Sequence, residues 1–226
     1  MNQIQVNELS KFYGQYKALD GVNVSFAQGK QYSIQGASGS GKSTLLYMLA
    51  GLEKPTDGNV LSFGQDLAEL NDDELAIYRN QQIGLIFQFH FLLSSMTCWE
   101  NILLPARIRG SSVKEVRKFC HEMATKLDIL DCLDKYPSEL SGGQQQRVNT
   151  LRAISLKPKV ILCDEPTGSL DSKNSKNVIQ ILRNLASSLN STLVVVTHDA
   201  AMAREFDHQF FMQDGRIKEL PALPLN

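Results

Sequence analysis

The segment Gly36-Ala37-Ser38-Gly39-Ser40-Gly41-Lys42-Ser43 constrains the fold of this chain more than any other. It follows a short apolar run, Gln31 to Ile34, and precedes a helical pattern from about Lys42 to Ala50, giving the order strand, loop, helix. Glycines at 36, 39 and 41 let the backbone curl until successive N–H groups point to its concave side. The helix start behind the curl adds the positive end of its dipole, and the combination holds phosphate oxygens. In the pattern G-x-x-x-x-G-K-[ST], Lys42 is expected on the β- and γ-phosphates of a nucleoside triphosphate and the Ser43 hydroxyl on Mg²⁺. Thr44 can donate to the α-phosphate, and the backbone from Gly36 through Gly41 completes the cradle.

Elsewhere, short apolar runs alternate with helical patterns, the layout of a parallel sheet covered by helices, so the fold class expected is α/β. Ile4 to Val6 and Val22 to Phe26 read as early strands, Pro55-Thr56-Asp57-Gly58 as a turn, and Ile83 to Phe87 as a buried strand. From Asn101 to about Lys157 the pattern is helical, without a convincing strand. Val160 to Cys163 and Thr192 to Thr197 read as central parallel strands. A helix between them, about Lys173 to Leu189, carries Val178, Ile181, Leu182 and Leu185 at helical spacing. The expected organisation is a single domain over 1–226: a core from 1–90 and 158–220, and a helical lobe at about 91–157. Pro221 to Asn226 reads as a frayed end.

Composition narrows the partners. A net charge of −1, with 21% charged and 42% hydrophobic residues over 226, gives no basic path for nucleic acid. No stretch approaches the roughly 20 apolar residues that span a bilayer, and Met1 to Lys11 is too polar for a secretory signal. The chain is therefore expected in the cytoplasm, with any membrane link through a partner. Cys98, Cys120, Cys132 and Cys163 are scattered, which suits reduced structural thiols rather than a zinc site.

The run Val160-Ile161-Leu162-Cys163 ends in Asp164 and Glu165. Ligands of open α/β sheets bind at the carboxyl ends of strands, so these acids belong to the chemistry. Asp164 is expected to hold Mg²⁺, directly or through water, and Glu165 to polarise the attacking water as general base.

Leu140-Ser141-Gly142-Gly143-Gln144-Gln145-Gln146-Arg147 resembles the LSGGQ signature of ABC ATPases. The resemblance covers nearly the whole chain and implies a P-loop NTPase (RecA-like) core with an antiparallel β edge and an inserted helical subdomain. It implies ATP as substrate and a second copy of the chain as partner. The pair would form head to tail, with Ser141, Gly142, Gly143 and Gln144 of one copy on the ATP held by the other. Tyr13 resembles the aromatic residue that stacks on adenine, with Phe12 an alternative. Gln88 resembles the glutamine that senses Mg²⁺ and water, and His198 the histidine that contacts the γ-phosphate. Ser169, Leu170 and Asp171 resemble the D-loop at the dimer contact.

Asp164 to Asp171, together with Phe87-Gln88-Phe89-His90-Phe91-Leu92-Leu93 and Glu100-Asn101, is similar to the group of ABC ATPases that contains LolD, MacB and FtsE. The Gln-Phe-His-x-Leu-Leu run looks closest to the lipoprotein-releasing members. The group implies as partner an integral membrane permease that moves lipoproteins, peptides or drugs or transmits force across the cell envelope, and a peripheral place on the cytoplasmic face of the inner membrane. Phe89, Phe91, Leu92 and Leu93 would line a permease groove, or else pack the lobe. The sequence departs from the family at Asn149 to Ile154, where an Ala-Ile-Ala-Arg-Ala-Leu-like run is usual, and at Ser94, where proline is common. A soluble ABC ATPase acting on a machine such as the ribosome is the alternative reading.

Overall fold

The computed structural model describes residues 2–88, 91–168 and 172–221. The chain opens on a long hairpin, β1 (Asn2–Tyr13) and β2 (Tyr16–Ala27), and passes through β3 (Gln31–Gln35) into α1 (Lys42–Leu49). Then come β4 (Asp57–Ser62), β5 (Gln65–Asp66), α2 (Asp72–Gln82) and β6 (Ile83–Ile86). Three helices follow: α3 (Cys98–Arg109), α4 (Val113–Lys126) and α5 (Gly142–Ile154). The chain then alternates through β7 (Val160–Asp164), α6 (Ser172–Leu189), β8 (Thr192–Thr197), α7 (Ala200–Ala203), β9 (His208–Gln213) and β10 (Arg216–Glu219).

Two sheets result. The larger has the order β10-β9-β3-β8-β7-β6, parallel throughout except for β10, which runs antiparallel to β9. The smaller is antiparallel, in the order β2-β1-β4-β5. Central strands of a parallel sheet are covered on both faces, and β7 and β8 are buried at every residue. The period of two then sorts their side chains. Val160, Leu162, Val194 and Val196 join a core with α1 and the antiparallel sheet. Ile161, Cys163, Leu193 and Val195 join a second core that continues through α5 and α6 into α3 and α4. Each fully buried aliphatic side chain contributes about 1.5–3 kcal/mol. All four cysteines are free thiols within these interiors.

The helices start where the local chemistry directs. Thr97, Asn71 and Ser141 each accept from a backbone N–H three residues on, while Glu100, Glu74 and Gln144 reach back to the cap. Gly110, at φ 72°, ends α3 in the left-handed region.

The structure exceeds the sequence reading in several places. β1 and β2 each run 12 residues, far beyond the apolar cores visible in sequence. Register shifts interrupt their pairing and break the alternation of apolar residues. The turn placed at 55–58 ends earlier, because Asp57 and Gly58 already belong to β4, Asp57 being paired with Ser10. Periodicity did not mark β4, β5, β9 and β10: β5 and β10 are edge strands of two and four residues with no buried position, and β4 and β9 carry polar residues at their ends. Between 91 and 157 the described residues hold α3, α4, α5 and two 3-10 turns, and no strand.

Candidate active site

The carboxyl ends of β3 and β7 meet α1 in a cleft of about 430 Å³. Ser38, Gly39, Gly41, Lys42, Ser43 and Thr44 form one wall, and Asp164, Glu165, His198 and Gln88 the other. The glycine loop is fixed by close approach. A Cβ on Gly41, at φ +101°, would lie 2.4 Å from the Ala18 carbonyl, and one on Gly36 would lie 2.2 Å from that of Met212. Neither position admits a side chain without moving backbone.

Behind this loop α1 begins without a side-chain cap and without an acid in its first turn. The buried Ser40 hydroxyl has no partner among the described residues. These unpaired donors suit an anion. Lys42 is buried, with Nζ donating to the carbonyls of Gly36 and Ala37 at 2.9 Å each. Burial lowers the pKa of its ammonium, while Glu165 and Asp164 oppose that shift.

Asp164 is the last residue of β7 and is 7% exposed. Its Oδ1 accepts from Ser43 Oγ at 2.9 Å and its Oδ2 from the Tyr47 hydroxyl at 3.2 Å. Desolvation pushes its carboxyl above the usual carboxylate range; the Ser43 and Tyr47 donors lower it, Glu165 raises it and Lys42 lowers it. Because the folded-state pKa lies above the unfolded value, stability from this group is complete below the unfolded value. It is lost as pH rises through the folded one. Ionised Asp164 therefore costs stability at neutral pH. Asp164→Asn is expected to raise Tm in nucleotide-free buffer at pH 7 by about 2–4 °C. It should also flatten the fall in Tm between acidic and neutral pH, and an unchanged or lower Tm would contradict the burial argument.

Glu165 takes φ +48°, a left-handed conformation uncommon outside glycine. Its N–H continues the ladder to the Val196 carbonyl at 3.1 Å. The turn aims the carboxylate into the cleft, where Oε2 lies 2.7 Å from His198 Nδ1. His198, just after β8, is 61% exposed at its side chain and Glu165 15%, so the histidine sits on the open rim with the carboxylate beneath it. The Gln88 amide lies against Gly168, where a Cβ would meet its Nε2 at 2.8 Å.

Of the remaining sequence candidates, Phe91 lines the cleft, Tyr13 borders it beside Thr44, and others lie apart from it or outside the described residues. Tyr13 donates its hydroxyl to the Glu53 carboxylate, with the Lys11 ammonium 5.2 Å from its ring centroid. Burial and Glu53 push that hydroxyl up to about 12. Tyr13 does not line the cleft; Tyr16 does, with its hydroxyl on the Gly39 carbonyl at 2.8 Å. Phe12 carries the Lys17 ammonium over its ring. Ser141 caps α5 and is exposed, as is Gly142, and open space surrounds both Gly142 and Gly143. Ser169, Leu170 and Asp171 lie outside the described residues, as do Phe89 and His90. Phe91 is 64% exposed and lines the cleft, Leu93 is exposed, and Leu92 packs against the second core.

Sequence reasoning missed Tyr16 and Tyr47. A signal existed for Tyr47, which is four residues beyond Ser43 on α1 and so shares its face.

A family model described as ABC transporter matches residues 19–168. The chain belongs to the ABC transporter ATPase family and is an ATP-binding, ATP-hydrolysing subunit. It is 40% identical to the lipoprotein-releasing system ATP-binding protein LolD of Leptospira interrogans over 217 residues, 96% of this chain and 91% of that protein. Likeness to LolD 1 of Chlorobium chlorochromatii reaches 44% over 200 residues, 87% of this chain and 80% of that one. Among solved structures, the dimeric ATP-binding cassette MJ0796 bound to ADP and Pi aligns with a TM-score of 0.86 at 35% identity. That alignment covers 97% of this chain and all of the other. Among the described residues no helix is long and apolar enough to cross a membrane.

Proposed function

We propose that the chain hydrolyses ATP at a site shared between two copies and so drives an integral membrane permease that releases lipoproteins from the membrane. The observation that carries the hydrolytic reading is the Glu165–His198 pair, 2.7 Å apart in one cleft with Lys42, Ser43 and Asp164. Glu165 takes the proton of the attacking water, and its bond to His198 fixes the carboxylate while the ring contacts the γ-phosphate. Lys42 turns from the Gly36 and Ala37 carbonyls to the β- and γ-phosphates, Thr44 donates to the α-phosphate, and Tyr13 stacks on the adenine.

The Ser43 hydroxyl and Asp164 carboxylate, 2.9 Å apart, are the hard oxygen donors that Mg²⁺ takes, with the Gln88 side-chain oxygen as a third. An ion held there would neutralise phosphate charge. Ser141 and Gly142 are exposed and none of Ser141 to Gln144 lines the cleft of its own chain, which supports a role for them on the partner's ATP. Ser169, Leu170 and Asp171 would lie at the same contact. The γ-phosphate joins the two surfaces, and its loss lets them part.

Likeness over nearly the whole length to proteins named for lipoprotein release supports the choice of cargo. A peripheral place on the cytoplasmic face of the inner membrane follows from a permease partner. The test is reconstitution with the permease that copurifies with the chain, followed by ATP-dependent release of a labelled lipoprotein from liposomes. Release that requires ATP supports the reading. ATP turnover without release, or recovery of the chain with ribosomes, overturns it.

A further inference from the structure

Helix α5 begins at Ser141 and carries Gln146, Asn149 and Arg152 at intervals of three, which places them on one side of the helix. The Gln146 amide is 2% exposed and donates from Nε2 to the Pro166 carbonyl at 3.0 Å, one residue beyond Glu165. Arg152 donates from Nη1 to the Phe91 carbonyl at 2.8 Å and from Nη2 to Asn149 Oδ1 at 2.9 Å. Asn149 is completely buried. Two loops of the cleft are thus bonded to the helix that bears the signature: the turn after Glu165, and the segment that follows Gln88.

The second attachment reaches the cleft directly. Phe91 takes φ +46°, a strained conformation for a bulky residue. Its ring meets Phe87 edge-on at 5.4 Å, and Phe87 in turn lies 6.3 Å from Tyr47, whose hydroxyl is on Asp164. A guanidinium is planar, so the direction of one N–H fixes the others. An acceptor at Asn149 therefore constrains where Arg152 points.

We propose that Asn149 is a positioning residue for ATP hydrolysis: it aims Arg152 at the Phe91 carbonyl and so ties the signature helix to the segment carrying Gln88. This rests on the reading that Ser141 acts on the partner's nucleotide. Gln146 provides a parallel tie to the Glu165 turn. Gln146 Oε1 and Asn149 Nδ2 are both buried without partners among the described residues, so this polar row is not fully bonded and has room to rearrange. A pull on Ser141 by the partner's ATP then reaches Gln88 and Glu165 through side-chain hydrogen bonds of α5.

The test uses the full chain, with ATP turnover measured against ATP concentration and ATP binding measured separately. Asn149→Ala removes the acceptor and is expected to lower kcat about five- to tenfold, with KM and ATP affinity within about twofold of wild type. Asn149→Asp keeps the acceptor oxygen and is expected to retain more than about half of the wild-type kcat. Full activity of Asn149→Ala, or an equal loss in Asn149→Asp, overturns the proposal. Should Asn149→Ala fail to fold, Arg152→Lys gives the same reading, since an ammonium cannot hold both acceptors in the guanidinium geometry. A fall in kcat at constant KM supports the tie, and an unchanged kcat rejects it. Ser141→Arg in the same assay separates the two ideas. Hydrolysis at the wild-type rate in that variant defeats the shared site itself, whereas its inactivity beside a fully active Asn149→Ala defeats only the role of Asn149.

Discussion

Glu165→Gln is expected to lower ATP turnover about a thousandfold while leaving ATP binding intact. The amide matches the carboxylate in size and can still accept from His198 Nδ1, so the geometry of the rim survives. What disappears is the capacity to take a proton from water. With the γ-phosphate uncleaved, two copies should remain joined, giving an ATP-dependent shift to twice the mass in size-exclusion chromatography. Phosphate release at the wild-type rate would remove Glu165 from the role of base. A variant that neither hydrolyses nor dimerises would instead point to damage at the interface.

Ser141→Arg is expected to cut hydrolysis at least about a hundredfold with little change in the ATP affinity of a single chain. The asymmetry follows from position. Ser141 lies on the exposed start of α5 and is absent from the lining of its own cleft, so its loss cannot unmake the first binding event. An arginine there blocks the second surface. The variant also loses a helix cap, worth about 1 kcal/mol, and a melting curve separates that effect from the loss of turnover. Equal losses of binding and turnover would count against a site shared by two copies.

The contrast between these two positions reflects what the sequence can express. Gly36 to Ser43, Asp164 and Glu165 were legible because each motif lies at the end of an apolar strand, and the parallel sheet carries those ends to one edge. The left-handed turn at Glu165 and the bond to His198 were not legible, since both depend on β7 and β8 lying side by side. Helix α2 escaped notice although Asn71 and Glu74 form a capping box, because its interior is polar and only Leu75 and Tyr78 are buried. The hairpin of β1 and β2 was read too short because register shifts interrupt the period of two that one-sided burial would give. Tyr16 follows the hairpin turn, and only that turn's geometry sends its hydroxyl to Gly39. Asn149 was visible only as a departure from the usual run, and Arg152 only as a residue that keeps to it. Their shared hydrogen bond could be seen only once α5 had a neighbour.

The apolar interior that runs from α3 and α4 beneath α5 to β7 and α6 bears on how such chains can be recombined. A segment spanning 91–157 looks like a cartridge, yet its floor is built from Ile161, Cys163, Ile179 and Leu182, which lie outside it. Transplanting the cartridge into another ATPase would bring the walls without the floor. Successful chimeras should therefore carry the inward faces of β7 and α6 along with the three helices, and grafting this segment becomes a problem of matching two buried surfaces.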